Sequence, residues 1–201
     1  MALIQWDPHL ILPRESSVCL GTFDGVHLGH QALLEKCVHR AVEKSLRPVA
    51  FTFSNIPFGS SKAPLLPPLT TLEEKEQRMS SAGIKDVVFT VFNEEFASIS
   101  EEDFFEQILL KQLHAKHVVI GFHYHFGKMA SGNAESMRKM CESRQITCDI
   151  VPPILTEDGT LISSTAIRHL ILEGNYREAE KMLGYPLSTQ QKTRLGGCTD
   201  E

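Results

Sequence analysis

The sequence has no long apolar segment and no feature that would direct the protein into a membrane or out of the cell. Nowhere do about 18 apolar residues follow one another, the length that a membrane-spanning helix needs. The first ten residues, MALIQWDPHL, lack the basic start and apolar stretch of a secretory signal. These absences predict a cytoplasmic protein without a membrane partner.

Cysteine is sparse and follows no pattern. The five cysteines include no CxxC pair. An odd number with irregular spacing does not suit a disulfide framework. Reduced thiols in a cytosolic protein fit this distribution best.

Positive charge is also in short supply. The 20 Lys and Arg residues are outnumbered by 25 Asp and Glu, which gives a formal net charge of -5, and no run of basic residues forms a tail. A broad basic surface is therefore excluded, and nucleic acid is not expected as a partner. An anionic ligand would have to be bound locally, by helix N-termini and a few placed cations.

Strand and helix patterns alternate along the chain. Short apolar runs predict strands over 17–23, 48–53, 86–92, 117–122 and 147–153. Helical spacing predicts helices over 29–45, 71–82, 101–114, 134–144, 164–173 and 175–183. Most strands lack every-second-residue polarity, which is typical of a parallel sheet covered on both faces. We therefore predict an α/β fold with a doubly wound, mainly parallel five-stranded sheet that binds ligands at the carboxyl ends of its strands.

The segment between 54 and 68 is predicted to be a loop. It is rich in proline and contains glycine, and both residues interrupt regular structure. Two capping patterns mark helix starts after it, Thr71 with Glu74 and Ser100 with Asp103.

The turn after the first predicted strand, GTFDGVHLGH (21–30), is a candidate anion site. Unpaired backbone N–H groups and the helix dipole favour phosphate there, and Gly29 allows it to approach the backbone closely. His27 and His30, three residues apart, can share one face and donate hydrogen bonds to a phosphate chain. The alternative is that both are surface or capping histidines on a glycine-rich turn.

A second candidate phosphate site is ISSTAIR (162–168). Ser163, Ser164 and Thr165 lie at a predicted helix start, and Arg168 follows four residues after Ser164 on the same face. The alternative is an ordinary Ser/Thr cap with a solvated arginine. Two such sites, one near each end of the chain, suggest a polyphosphate that is bound from both sides.

Together, HxGH after the first strand and SSTxxR before a late helix resemble the nucleotidylyltransferase superfamily. The fuller string GTFDGVHLGHQ is similar to the FMN adenylyltransferase domain of bacterial bifunctional FAD synthetases, and the similarity continues through LTTLEEK (69–75), GFHYHFGKMASGN (121–133) and LGYPL (183–187). It covers about residues 15–187. The resemblance implies a Rossmann-like nucleotidylyltransferase fold.

The resemblance also implies an activity, which is transfer of AMP from ATP to FMN to give FAD and pyrophosphate, with Mg²⁺ on the triphosphate. His27, His30 and Arg168 are the implied catalytic residues. The implied nucleotide-binding residues are Gly21, Phe23, Asp24, Gly29, His30, Ser163, Ser164, Thr165 and Arg168. The candidate flavin-binding residues are Asn55, His123, Tyr124, Phe126, Lys128 and Asn133.

The sequence departs from the family pattern in the loops that serve acceptor recognition. Ser54, Asn55 and Ile56 replace an acidic residue and a His-Pro pair after the second strand, and His123 and His125 replace an Asp or Asn and an Arg before FG. Two alternatives therefore stay open. One is an adenylyl- or cytidylyltransferase with another phosphorylated acceptor, such as a phosphopantetheine, nicotinamide mononucleotide or a phosphorylated sugar alcohol; the other is a non-catalytic regulator that binds flavin nucleotides.

Histidines are frequent around the fourth predicted strand. His123 and His125 in an HxH pattern could share one face, so a metal site is conceivable, but no acidic or thiol ligand has matching spacing. We therefore assign no metal site to these histidines, and whether Mg²⁺ has any protein ligand stays open.

We predict one adenylyltransferase domain over 1–187 and a short polar tail over 188–201. The tail is too short for the riboflavin kinase domain of the bifunctional enzymes, so FMN is expected to come from a separate kinase.

Overall fold

The computed structural model describes residues 2–56 and 67–195. The strands are β1 (Ala2–Gln5), β2 (Ser16–Leu20), β3 (Arg47–Phe53), β4 (Asp86–Thr90), β5 (Ala115–Gly121), β6 (His125–Phe126), β7 (Gly132–Asn133) and β8 (Thr147–Val151). The α-helices are α1 (Leu28–Glu43), α2 (Leu72–Ser81), α3 (Glu94–Ala97), α4 (Glu101–Asp103), α5 (Ala134–Ser143), α6 (Ser164–Leu172), α7 (Tyr176–Leu183) and α8 (Thr189–Arg194). A π-helix, Phe104–Gln112, continues α4, and Lys128–Ala130 forms a 3₁₀ turn.

A parallel sheet of six strands, in the order β1-β4-β3-β2-β5-β8, forms the centre of the molecule. The chain builds outward from β2 through β3 to β4 and then returns to the other side of β2 with β5 and β8. The direction therefore reverses between β2 and β5, and this switch point opens a crevice at the carboxyl ends of these strands. The predicted α/β class and parallel sheet are confirmed.

Alternate residues of the strands pack into separate cores on the two faces of the sheet. Val18 and Phe51 contribute to the core beneath the π-helix and α5. Cys19 and Ala50 contribute to the opposite core, beneath α1 and α2. Because both faces are buried, the strands show no polar alternation, which is the pattern that the sequence displays.

The C-terminal helices form a third apolar cluster against Leu69. Ile167 of α6, Leu183 of α7 and Leu195 after α8 are all buried in it. The segment predicted as a polar tail therefore includes helix α8, whose capping box begins at Ser188. Residues 196–201 lie outside the described part of the chain.

The predicted number of five strands in the sheet is wrong, because β1 adds a sixth strand at the edge. This strand has only four residues, is mostly exposed and pairs with β4, so it leaves little hydrophobic pattern in the sequence.

The predicted helix over 101–114 is divided into α4 and the π-helix. Of the predicted loop over 54–68, positions 57–66 fall outside the described residues.

Both predicted capping patterns form. The Thr71 hydroxyl accepts from Glu74 N at 3.2 Å, and Glu74 Oε2 accepts from Thr71 N at 2.8 Å. Ser100 Oγ accepts from Asp103 N at 3.0 Å.

Within residues 2–56 and 67–195, no helix combines the length and apolar character needed to cross a membrane.

Replacing Met137 tests the core beneath α5. Met137 is fully buried, and Met137→Ala is expected to lower the free energy of unfolding by about 2 to 5 kcal/mol because it leaves a cavity. Met129 is 91% exposed, so Met129→Ala is expected to change the free energy by less than about 0.5 kcal/mol. Urea unfolding of both variants measures the difference, and equal losses would contradict this packing.

Candidate active site

A cavity of about 880 Å³ opens at the switch point of the sheet. The segments that follow four strands of the sheet contribute to its wall. Examples are Gly21 after β2, Ile56 after β3, Phe122 after β5 and Pro152 after β8. This is where the sequence predicted ligand binding. The volume lies near the upper end of the range for small-molecule sites.

The turn between β2 and α1 is held in an uncommon backbone conformation. Phe23 and Val26 have positive φ angles of 48° and 38°, and Gly25 has 84°. A side chain at Gly25 would also collide with Leu69, whose Cδ1 lies 2.8 Å from an added Cβ. Strained residues of this kind persist only where the surroundings fix them, and they are common at functional sites.

Distant parts of the chain hold this turn in place. The Thr70 hydroxyl accepts from Gly25 N at 2.9 Å, and the Tyr185 hydroxyl donates to Gly25 O at 2.6 Å. The Gln31 amide donates to Val26 O at 2.9 Å and to Leu183 O at 2.8 Å. The turn is thus fixed by two other parts of the chain, the segment before α2 and the end of α7 with Tyr185.

The two predicted histidines stack against each other at the start of α1. Their ring centroids lie 3.7 Å apart with an interplanar angle of 20°. His27 is the N-cap of the helix, and its Nδ1 accepts from His30 N at 3.4 Å, so its Nε2 carries the proton. The capping and ligand-binding interpretations are therefore compatible for His27, because a different nitrogen serves each role.

Both imidazoles are neutral near pH 7. Burial lowers the pKa of His27 to about 4. Burial also holds the pKa of His30 well below its ordinary value, with smaller effects from His27 and Lys75. The Nδ1 atom of His30 is buried and has no hydrogen-bond partner. The pair therefore offers hydrogen-bonding groups, not fixed charge, to a ligand.

The second predicted phosphate site joins the first through Asp24. An Arg168 Nη2 atom pairs with the Asp24 carboxylate, and both residues are buried. Ser164 Oγ donates to Asp24 O at 2.8 Å. Burial raises the pKa of Asp24, against the opposing effects of Arg168 and Lys75. Two motifs about 140 positions apart in the sequence thus form one polar wall.

The other predicted residues of this wall have distinct roles. Ser163 caps α6 by accepting from Ala166 N at 3.2 Å, and exposed Thr165 lines the cavity. Gly29 also lines the cavity. Phe23 is buried beneath the wall, where its ring meets the His30 ring edge-on at 5.2 Å between centroids.

A second part of the cavity wall is aromatic. Phe96 is the centre of a connected group, with ring centroids 5.4 Å from Phe53 and 6.3 Å from Phe104. Phe126 extends it at 5.7 Å from Phe104, and Tyr124 stacks on Phe126 at 5.9 Å. The sequence indicated Tyr124 and Phe126 but not the phenylalanines from β3, α3 and the π-helix. The cavity therefore has a polar end and an apolar end.

Three of the candidate flavin-binding residues lie outside the cavity wall. The Asn55 side chain bonds to both Phe92 N, at 2.7 Å, and Phe92 O, at 3.0 Å. Asn133 caps α5, and Lys128 is exposed. His123, by contrast, lies in the wall at its exposed edge.

The remaining histidines do not assemble with His123 and His125. His117 is fully buried, where its Nδ1 shares a 2.8 Å hydrogen bond with Ser17 Oγ and its Nε2 lies 3.4 Å from Asp149. Within the described ranges, no group of three or more His, Cys, Asp or Glu side chains could hold a metal ion.

Lys75 is the functional candidate that the sequence analysis missed. It lies on α2 and is 3% exposed, and its Nζ donates to the carbonyls of Thr22 and Phe53, both at 2.9 Å. Burial lowers its pKa, and Asp24 opposes that effect. The available signal was its spacing of four from buried Met79, which places both residues on the inner face of the helix.

The lowered pKa of His27 predicts an acid-dependent loss of stability. Unfolded His27 binds a proton near pH 6.5 and the folded residue near pH 4, so its contribution is complete above pH 6.5 and is lost as the pH falls to 4. His27→Asn keeps a capping acceptor, and it should reduce the loss over this window by up to about 3 kcal/mol. Urea unfolding at pH 7 and pH 4 measures it. His39→Asn, at an exposed position of α1, is the control, and identical pH dependence in both variants would refute the assignment.

Solved structures with similar folds were found. A protein described as a macrolide-efflux protein from Streptococcus pneumoniae matches with a TM-score of 0.80 and 34% identity, over 92% of this chain and 62% of that chain. Pantothenate synthetase from Thermus thermophilus matches with a TM-score of 0.52 and 14% identity, over 92% and 81%. The second likeness concerns the fold alone, and it agrees with the expected α/β architecture.

Curated relatives carry the comparison further. The bifunctional riboflavin kinase/FMN adenylyltransferase of Listeria monocytogenes is 36% identical over 177 residues, which cover 86% of this chain and 55% of that protein. A putative bifunctional enzyme of the same description from Geobacillus thermodenitrificans is 35% identical over 90% of this chain and 95% of that protein. This chain thus spans about half the length of the first relative and nearly all of the second. The family model for FAD synthetase matches residues 11–166, which shows that the chain belongs to the FAD synthetase family.

Proposed function

We propose that this chain is an FMN adenylyltransferase that uses ATP to convert FMN into FAD with release of pyrophosphate. The observation that carries the proposal is a cavity whose lining combines the stacked neutral histidines with an aromatic wall. Phosphates suit the polar end, and a planar flavin suits the aromatic end. The family of the chain and the names of its relatives support the same reaction.

In the proposed reaction, a phosphate oxygen of FMN attacks the α-phosphorus of ATP. The new P–O bond forms as the bond to the β-phosphate breaks, and pyrophosphate leaves. We propose that His27 donates from Nε2 to phosphate oxygens, with His30 beside it. Such donors stabilise the charge that develops on these oxygens, and fixed positions for both substrates supply much of the remaining rate enhancement.

Arg168, Ser163 and Thr165 are proposed to bind the β- and γ-phosphates. The Arg168 Nε atom is buried and has no hydrogen-bond partner, although an Nη atom pairs with Asp24. The free N–H groups at the start of α6 add donors at the same wall. A triphosphate would thus lie between the starts of α1 and α6.

Mg²⁺ is proposed to enter with ATP. Since the described residues include no metal-binding group of acidic, His or Cys side chains, the phosphates and water would supply most of its ligands. The ion would offset the negative charge of the departing pyrophosphate.

FMN is proposed to come from a riboflavin kinase activity outside these 201 residues, in the cytoplasm. The polar wall of the cavity would hold one triphosphate, so the proposed activity of these residues is a single adenylyl transfer.

A different phosphorylated acceptor is the second candidate. Ile56 and His123, which depart from the family pattern, both line the cavity at the acceptor side. Ile56 offers no hydrogen bond, and His123 is exposed at the edge. A product assay distinguishes these acceptors.

The decisive assay supplies the protein with ATP and Mg²⁺ and measures FAD and pyrophosphate together. FMN is expected to give both products in equal amounts, and riboflavin is expected to give neither because it lacks the attacking phosphate. Product from another phosphorylated metabolite, but not from FMN, would replace the proposed acceptor. ATP binding without any product would point to a regulator.

Replacing His30 tests its place in the reaction. His30→Ala is expected to lower kcat by about 100-fold or more, since a donor to the reacting phosphate is lost. His39→Ala is the matched control, because this exposed histidine lies on the same helix outside the cavity wall. Equal kcat values for the two variants would exclude His30 from catalysis.

A further inference from the structure

Lys75 lies behind the cavity wall and forms hydrogen bonds to the backbone of both the polar and the aromatic parts of that wall. One of its bonds reaches Thr22 O, in the phosphate-binding turn, and the other reaches Phe53 O, at the end of β3. Thr22 and Phe53 both line the cavity, one at the polar wall and one at the aromatic wall. A single ammonium group therefore touches both substrate sites through their backbones.

The position of this bridge is significant because strand pairing ends just before it. The paired register of β2 and β3 ends at Leu20 and Phe51, and Gly21 N still donates to Phe51 O at 3.3 Å. Beyond that point the segments that follow β2 and β3 are no longer paired, and both contribute to the cavity wall. Thr52 Oγ1, which donates to Thr22 O at 3.0 Å, and Lys75 continue the connection through side chains.

Burial of a lysine is costly, so the site must stabilise its ammonium group. The two carbonyls accept two of its three hydrogens, and the Asp24 carboxylate attracts the charge. An isoleucine or methionine would fill the same space without this cost. The charged bridge therefore needs a reason other than packing.

We propose that Lys75 is a positioning residue that sets the spacing between the phosphate-binding turn and the aromatic wall. This inference rests on the proposed function, since its consequence is the alignment of the acceptor phosphate with the α-phosphate of ATP. Lys75 is not itself in the cavity wall, so it acts through the Thr22 and Phe53 carbonyls. Misplacement of reacting groups by about 1 Å can cost about 100-fold in rate.

The first test compares Lys75→Met with Arg47→Met. Arg47 is the control because it is a partly buried cation on β3 that, unlike Lys75, pairs with Asp86 at the amino end of the sheet. For Lys75→Met we expect kcat to fall by about 30-fold or more, while the dissociation constant for ATP changes by less than about threefold. Arg47→Met should lose stability without this selective fall in kcat.

Amide hydrogen exchange gives a readout that is independent of activity. Lys75→Met is expected to accelerate exchange at both 21–26 and 52–56, because the bridge holds these segments together. Arg47→Met should leave both segments as in the wild type. If the wild type makes no FAD, the proposed function fails, and the exchange data still decide whether Lys75 couples the two segments.

Chemical rescue identifies the ammonium group as the cause. Lys75→Ala leaves space for propylammonium, which should restore part of kcat, whereas 1-propanol should not.

Thr52→Val is a second variant in case Lys75→Met fails to fold. It removes the other side-chain hydrogen bond to Thr22 O and keeps the charge of Lys75, and kcat is expected to fall about threefold. The inference is overturned if Lys75→Met has the same kcat as Arg47→Met or changes only the affinity for ATP. It is also overturned if Lys75→Met leaves amide exchange at 21–26 and 52–56 unaltered, or if Thr52→Val leaves kcat unchanged.

Discussion

The candidate active site depends on one buried carboxylate. Asp24 is 3% exposed, and a carboxylate at such a position needs nearby cations and hydrogen bonds to stay charged. Arg168 supplies one cation from α6 and Lys75 supplies another from α2. Three segments that are distant in sequence must therefore meet before this charge is compensated.

The sequence predicted the polar end of the cavity well because short local patterns encode it. The glycine-rich turn with its two histidines, and the hydroxyl-rich start of α6 with Arg168, each depend on residues within about one helical turn. Topology then explains why the two meet, since parallel strands place their carboxyl ends at one edge. The capping patterns at Thr71 and Ser100 were predictable for the same local reason.

The aromatic wall was less predictable because it is assembled from separate elements. Phe53, Phe96 and Phe104 come from a strand, a short helix and a π-helix, and each one alone resembles an ordinary core residue. The polar residues Asn55 and Asn133 attracted a binding interpretation, although their side chains satisfy backbone groups. Composition of a loop indicates which groups are available, but only the fold shows which are already occupied.

The way in which the turn after β2 is held has a consequence for how the protein is made. Tyr185 and Leu183 hold Gly25 and Gln31, and Ser164 and Arg168 hold Asp24, so the turn needs residues that are synthesised some 140 to 160 positions later. Contacts of such long range form late, because their loop-closure entropy must be overcome first. During synthesis, the sheet can begin to assemble while the turn is still incomplete. The nascent chain would thus complete the turn, and with it the proposed nucleotide site, only after Tyr185 has emerged from the ribosome.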